Sequence, residues 1–453
     1  MQFELTKEFV DNLRQLIANE SEKEVKALVE EVHPADIAEI MEELSMEEAK
    51  YLYQLLDGEK ASDVLLEIPD NDRRRFLKVL PPELIAHRFV EYMDSDDAAD
   101  IVGGLDEETQ QEVLKEIEDV GQAGDIVDLL EYDEESAGGI MAKELVSVNE
   151  NWTVATCLKE ISKQAEDVDE IYYVYVVDDA GILKGVLSLK KLILNNTNTK
   201  ISNIYNADIK VVTTEASQEE VAYIMDKYDL VALPVVDNTG RLKGRITVDD
   251  VIDIIREEAG KDYQMVSGIT GDVESSDRVW RLTRARLPWL LIGLLGGIMG
   301  AQVIGAHQET LSVIAGMTLF IPLIAAMAGN VGVQSSSIVV QSLASGAKDL
   351  ESISQKLFKE LAIALITASV FAILIFVYNL TFGDDMRLTW TVSMSLFIVI
   401  VFASVLGTMI PLILNRFKID PAVATGPFIT TMNDVLGLLI YMLVGNMFYF
   451  LLS

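Results

Sequence analysis

The sequence predicts a multidomain chain. It reads as an α-superhelical N-terminal domain, a tandem pair of α/β modules, a connecting helix, and an all-α membrane domain of five helices. Three observations carry this. Five long apolar segments follow residue 286. A long run in the middle of the chain matches itself. Before it, short helix-like units recur with an Asp-Ile or Asp-Val pair in each. At 453 residues the chain is also too long for one ordinary domain.

Residues 1–130 read as the first domain. Asp36-Ile37, Asp63-Val64, Asp100-Ile101 and Asp125-Ile126 sit at helix-like positions, and Pro-containing turns such as Leu80-Pro81-Pro82-Glu83 separate the units. Uneven but similar units suggest an α-superhelix, and an irregular helical domain stays open beside it. The N-terminus, Met1-Gln2-Phe3-Glu4-Leu5, has neither a basic stretch nor an apolar one, so no signal peptide is expected.

The duplication divides the next stretch into modules at 131–200 and 201–257. Val176-Val177-Asp178-Asp179-Ala180-Gly181-Ile182-Leu183-Lys184-Gly185 matches Val235-Val236-Asp237-Asn238-Thr239-Gly240-Arg241-Leu242-Lys243-Gly244. Each copy reads as a strand, a turn at Asp-x-x-Gly, a second strand and a helix. An acidic run then follows on a predicted helix: Asp249, Asp250, Asp253, Glu257, Glu258 and Asp262. Several fall three or four residues apart, so one face repeats like charge, which costs stability unless cations neutralise it. Ion binding and a merely solvated face are both open readings. Residues 258–283, with turn-prone Ser267-Gly268 and Gly271-Asp272, are expected to hold a connecting helix.

The membrane domain is expected over 284–453. Its apolar segments run approximately over 287–305, 311–343, 361–382, 390–414 and 422–452. Each is long enough to span a bilayer. Basic residues cluster at Arg281, Arg284 and Arg286, at Lys348, Lys356 and Lys359, and at Arg416 and Lys418. The positive-inside rule then places the N-terminal region in the cytoplasm and Ser453 outside, as a multi-pass protein of the cell (inner) membrane. Asp434 is the acid deep in a predicted span, where a charge needs water, a cation or a partner. Thr430, Asp434, Gly437 and Tyr441 recur along one helix face. Helix packing explains Gly437 well and Asp434 badly, so Asp434 reads as a pore residue. The polar stretch from Gly329-Asn330 to Ser337, after Pro322, is either small-residue packing or a locally opened helix.

Charge and side-chain inventory narrow the chemistry. The net charge is −36, and nearly all of it precedes Arg281. Such a block repels nucleic acid and anionic lipid and attracts cations. The one cysteine, Cys157, excludes an intramolecular disulfide framework. The three histidines, His33, His87 and His307, have no helical metal-site spacing. Any bound metal must therefore use oxygen ligands, which suits hard cations such as Mg²⁺ or Ca²⁺. No nucleophile–base pairing and no phosphate-binding loop points to an enzyme.

These residues resemble the MgtE family of magnesium channels over essentially the whole chain. The acidic helical domain, Tyr132-Asp133-Glu134-Glu135-Ser136-Ala137-Gly138-Gly139-Ile140-Met141, the paired repeats and five spans come in that family's order. The repeats resemble cystathionine-β-synthase-type (CBS) modules. The membrane matches are Gly329-Asn330 through Gln334-Ser335, and Asp434 through Tyr441. The resemblance implies a homodimer with one pore on its axis. It implies that Asp434 holds hydrated Mg²⁺, with Asn330, Gly426 and Thr430 as pore neighbours. It also implies regulatory Mg²⁺ at Asp96, Asp100, Asp250, Asp253, Glu258 and Asp262. Lys261 departs from the pattern, because an acid is expected there. ATP at the second CBS module is a further implied ligand. Gly244-x-x-Thr247-x-x-Asp250 keeps the ribose-contacting pattern, whereas Ser188-x-x-Lys191 in the first module lacks its acid.

The function expected from this resemblance is a Mg²⁺-selective channel that closes when cytoplasmic Mg²⁺ binds the acidic domains. A channel for another divalent ion, such as Mn²⁺ or Co²⁺, is the alternative. A membrane-anchored nucleotide sensor is the rival of another class, and Asp434 argues against it because an anchor needs no buried acid.

Overall fold

The structure is a computed structural model, and it describes residues 5–165, 168, 170–271, 273, 277–344, 353–383, 385–424 and 426–452. Residues 1–4, Asp272, Lys348 and Ser453, used in the readings above, lie outside the described residues. The chain divides into two units, Met1–Ile255 and Arg256–Ser453.

The first unit opens with short helices: α1 (Lys7–Ala18), α2 (Glu22–Val29), α3 (Pro34–Glu43), α4 (Met46–Leu55) and α5 (Gly58–Glu67), then α6 (Asp70–Leu77), α7 (Pro82–Arg88), α8 (Ser95–Gly103), α9 (Glu107–Glu116) and α10 (Val120–Leu129). Local chemistry sets their starts. Thr6, Ser45, Asp57, Asp106 and Asp119 each cap an N-terminus through the side chain, and Ser45 with Glu48 closes a capping box. The recurring Asp-Ile and Asp-Val pairs now have a physical meaning. Ile37, Val64, Ile101 and Ile126 are buried, while the preceding aspartates remain at least partly in solvent.

The two modules repeat one topology. β1 (Val146–Asn149), β2 (Val174–Val177) and β3 (Leu183–Leu187) form one sheet, and β4 (Val212–Thr213), β5 (Ala232–Val236) and β6 (Leu242–Thr247) form the other. In both, the first pair is parallel and the second antiparallel. Both copies shift register at the same place, after Val176 and after Val235. Helices α11 (Val154–Gln164) and α12 (Leu189–Leu194) belong to the first module, and α13 (Gln218–Lys227) to the second. The matched turns work alike: Asp178 and Asp237 accept backbone N–H bonds from the turn, and Gly181 and Gly240 take positive φ of 78° and 83°. The turns also bond each other reciprocally. Leu183 N donates to Gly240 O at 3.0 Å, and Leu242 N donates to Gly181 O at 3.1 Å.

The cores do not follow the module boundary. One apolar cluster runs from Val10 through the N-terminal helices to Met141, Val212, Val221, Leu233, Ile246 and Val251 of the second module. The first module keeps a separate cluster around Val146, Cys157, Val176 and Leu192.

Helix α14 (Val248–Val266) carries the acidic run and is continuous past residue 257. The connecting helix expected over 258–283 is therefore not a separate element. The helix of the second module extends to Val266, where Gly268 and Gly271, both at positive φ, turn the chain. In the second unit follow α15 (Val279–Ala306), α16 (Gln308–Val313), α17 (Ile321–Ala344), α18 (Ile353–Phe382), α19 (Met386–Arg416) and α20 (Pro427–Leu452). Among the described residues five helices are long and apolar enough to cross a membrane. The expected second segment is broken into α16, a 3-10 turn at Ala315–Phe320, and α17. The fifth begins later than expected, after a 3-10 turn at Pro421–Ala424 and Gly426 at φ 60°. Helix α19 is central, packed by α17, α18 and α20. Helices α15 and α18 leave Leu290, Leu294, Ile366 and Ile373 exposed, as lipid-facing helices do.

Candidate cation sites

Glycines position Asp434. At Gly329 on α17 a Cβ would stand 3.2 Å from Asp434 Oδ1 and 3.1 Å from Thr430 Cγ2, so the bare backbone lets α20 come close. Asp434 opens on a cavity of about 300 Å³ whose wall includes Gly293, Gly296, Gly297, Gly300 and Thr431. Thr430 donates its hydroxyl to Gly426 O at 2.9 Å, and Asn330 beside Gly329 is exposed. The helix face expected to line a pore divides in two. Gly437 packs on Ala328 and Val399, and buried Tyr441 donates its hydroxyl to Met317 O at 2.9 Å. Asp434 is the member of that face that lines the cavity. The polar stretch after Gly329 is continuous α-helix, with Gly332 packed under the Asn433 amide and against Gly407.

The loop before α20 is built for close approach. A Cβ on Gly426 would collide with Val266 O, and one on Gly268 would collide with Pro427. The end of α14 therefore seats against the start of α20. Near it, burial and then the Asp420 and Glu258 carboxylates raise the pKa of Asp262. Lys261 pairs with Glu257 and Glu258, each at 3.0 Å, so the residue that departs from the family pattern occupies Glu258.

A second acidic group forms within the first unit. Helix α8 brings Asp96 and Asp97 to Asp250 of α14. Burial, then the Asp97, Asp250 and Asp94 carboxylates, raise Asp96 well above its ordinary pKa. Burial, then Asp250, Asp100 and Asp94, push Asp97 up to about 7. Burial also raises Asp250, against the pull of the Thr247 hydroxyl. Carboxylate oxygens of Asp94, Asp96 and Glu144 lie within 4.8 Å of one another. Ser95 holds Glu144 through its N–H at 3.1 Å and its hydroxyl at 2.8 Å, and Arg245 reaches Asp94 at 3.5 Å. An all-oxygen, like-charged donor set suits a hard divalent cation. Asp100 and Asp253 lie exposed, each one turn beyond a half-buried acid. Sequence reasoning missed Asp94, Asp97, Glu144 and Asp420. Only the fold brings Glu144 to α8.

The expected nucleotide residues, Thr247 and Asp250, are bonded to each other. Thr247 is buried and donates to Asp250 Oδ2 at 2.5 Å. Gly244 is packed on Ala142 O and Met141. The cavity of the module pair, about 410 Å³, is lined instead by Tyr173, Asn206, Asp208, Lys210, Tyr228 and Leu230.

The comparisons with known proteins follow this anatomy. Residues 321–444 match the profile of a divalent cation transporter, which makes the five-helix unit a membrane transport domain. Residues 32–135 match the MgtE intracellular N domain, and 137–195 and 201–257 match CBS domains. The chain is similar to the magnesium transporter MgtE of Thermus thermophilus, at 33% identity covering 96% of this chain and 97% of that one. It is 30% identical to the magnesium transporter MgtE of Bacillus subtilis, covering 94% of each. A solved structure, the cytosolic domain of the Mg²⁺ channel MgtE in complex with ATP, matches at 36% identity and TM-score 0.51, covering 54% of this chain and 99% of that one. The chain belongs to the MgtE family.

Proposed function

We propose that this chain is a Mg²⁺ channel that closes when Mg²⁺ binds its acidic regulatory unit. The observation that carries the reading is Asp434, an acid within a membrane-length helix, facing a glycine-walled cavity. Mg²⁺ dehydrates reluctantly and keeps several waters, so one carboxylate with room beside it suits the ion better than a full protein cage. Two copies, each offering Asp434 and the nearby Asn330, Gly426 and Thr430, would hold a hydrated ion between them. The similarity to two magnesium transporters supports Mg²⁺ over Mn²⁺ or Co²⁺. The basic residues flanking the spans support a cytoplasmic N-terminus.

Regulation follows from the second acidic group. Asp96, Asp97 and Asp250 repel one another when ionised, and divalent ions reverse that sign. Mg²⁺ held by Asp94, Asp96 and Glu144, with Asp97, Asp100 and Asp250 nearby, favours the compact arrangement of the first unit. Asp262, facing Asp420 before α20, offers an acid pair near the proposed pore, and Glu258 reaches it only by leaving Lys261. Such closure requires that the closed state bind ions more tightly. For a nucleotide, Asp250 keeps Oδ1 as an acceptor beside its bond from Thr247. The cavity at Tyr173 and Lys210 adds an aromatic face and a cation.

Reconstituted liposomes loaded with a Mg²⁺ indicator test the reading. Wild type should pass Mg²⁺, and Asp434→Asn should lose at least about tenfold of the flux while keeping its size on gel filtration. Normal flux through that variant, or a preference for Mn²⁺ or Co²⁺, would overturn it.

A further inference from the structure

A second polar group lies inside the helix bundle, away from the cavity of Asp434. Glu360 on α18 accepts a hydrogen bond at Oε1 from Ser335 on α17 at 2.6 Å, and another from the hydroxyl of Ser404 on α19. The two hydroxyl oxygens are 3.0 Å apart. Three oxygens from three helices thus meet at one point, with Ser335 5% and Ser404 2% exposed.

Three further buried polar side chains on α17, α19 and α20 have polar atoms without hydrogen-bond partners. Ser336 and Asn433 are 0% exposed and Thr408 is 1%. The Ser336 and Thr408 hydroxyls and both amide atoms of Asn433 make no hydrogen bond. Each adjoins the group along its own helix or across a helix contact. Ser336 follows Ser335, and Thr408 lies one turn beyond Ser404 on the same face of α19. The Asn433 amide rests on Gly332, one turn before Ser335 and Ser336, where Gly407 of α19 also meets the Gly332 carbonyl. Buried polar groups are normally satisfied, so these side-chain atoms are available to a ligand at the group.

The charge identifies its class. The group offers one carboxylate and otherwise neutral hydroxyl and amide oxygens, so a single positive charge balances it. A divalent ion would leave an excess positive charge among largely buried groups, and Mg²⁺ would keep several of its waters. Oxygen donors suit a hard ion that sheds its water more readily. We propose that Glu360, Ser335 and Ser404, with Ser336, Thr408 and Asn433, form a site for a dehydrated sodium ion within each protomer. Asn433 directly precedes Asp434, so an ion here also braces the stretch of α20 that carries the cavity acid.

Binding of radioactive Na⁺ to the purified full-length protein, in Mg²⁺-free buffer with choline as the balancing cation, tests the proposal. Wild type should bind Na⁺ saturably, and Na⁺ but not choline should raise its melting midpoint. Glu360→Gln and the double variant Ser335→Ala/Ser404→Ala should each weaken binding by about tenfold or more. Asp434→Asn should bind Na⁺ as wild type does. Absence of saturable binding and of a Na⁺-dependent midpoint in wild type overturns the proposal, whatever the variants do. Equal binding by Glu360→Gln, or loss in Asp434→Asn alone, also overturns it. A midpoint that responds to pH but not to Na⁺ makes the occupant a proton and does the same.

Discussion

At the scale of the residue, burial and mutual repulsion raise the pKa of the acids where α8 meets α14. Asp97 has its pKa raised from 3.8 to about 7 by burial and by Asp250, Asp100 and Asp94. The folded chain therefore holds a proton on Asp97 more tightly than the unfolded chain does. Between those two values the folded state binds more protons, and stability falls as pH rises. In Mg²⁺-free buffer the melting midpoint of the first unit should drop from about pH 5 to about pH 8. Asp97→Asn should flatten that drop, and added Mg²⁺ should restore more stability at the higher pH than at the lower. Calorimetry across the pH series checks this, and a flat wild-type profile would remove Asp97 from the ion-sensing group.

At the scale of the element, the helix crossings depend on particular glycines. Gly332 receives both the Asn433 amide and Gly407, while Gly293 on α15 has open space where a Cβ would go. Gly332→Ala should destabilise the bundle by about 1–3 kcal/mol, and Gly293→Ala should leave it nearly unchanged. Melting of the two variants in one detergent compares them directly, and equal midpoints would contradict the crossing described. The elements also show what a sequence can and cannot disclose. The five spans, the duplicated strand-turn-strand and Asp434 were legible because hydrophobic length, self-similarity and a stray charge are properties of the string. Glu360 was not, because it lies at the edge of an apolar segment and its partners Ser335 and Ser404 are distant in sequence. The expected break at 257/258 is absent for a related reason: the residues at 258–266 are as helix-compatible as those before them, and α14 ends only before Gly268, at positive φ.

At the scale of the whole molecule, the proposed gate rests on a balance of charge. If like charge keeps the first unit from compacting without ions, removing the charge should remove the need for them. Asp96→Asn/Asp97→Asn should close at low Mg²⁺ as well as high, and flux should lose most of its dependence on internal Mg²⁺. Recordings over a series of internal Mg²⁺ concentrations would show it. A midpoint equal to that of wild type would place the sensor elsewhere. Substitution is a cleaner probe here than deletion of residues 1–130, because those helices share one apolar core with Val212, Leu233 and Ile246 of the second module.

The two reciprocal bonds between the matched turns carry a trace of ancestry. Leu183 to Gly240 and Leu242 to Gly181 form a self-complementary contact, which is how two identical subunits meet about a twofold axis. A single-copy forebear could have made the same contact with a second molecule of itself. Gene duplication then turned an encounter between strangers into a covalent partnership. Once joined, the halves no longer had to stay alike. One carries an acid at Asp250, turned toward a cluster of carboxylates, and the other carries Lys191 at the matching position. Symmetry supplied the scaffold, and its loss supplied the division of labour.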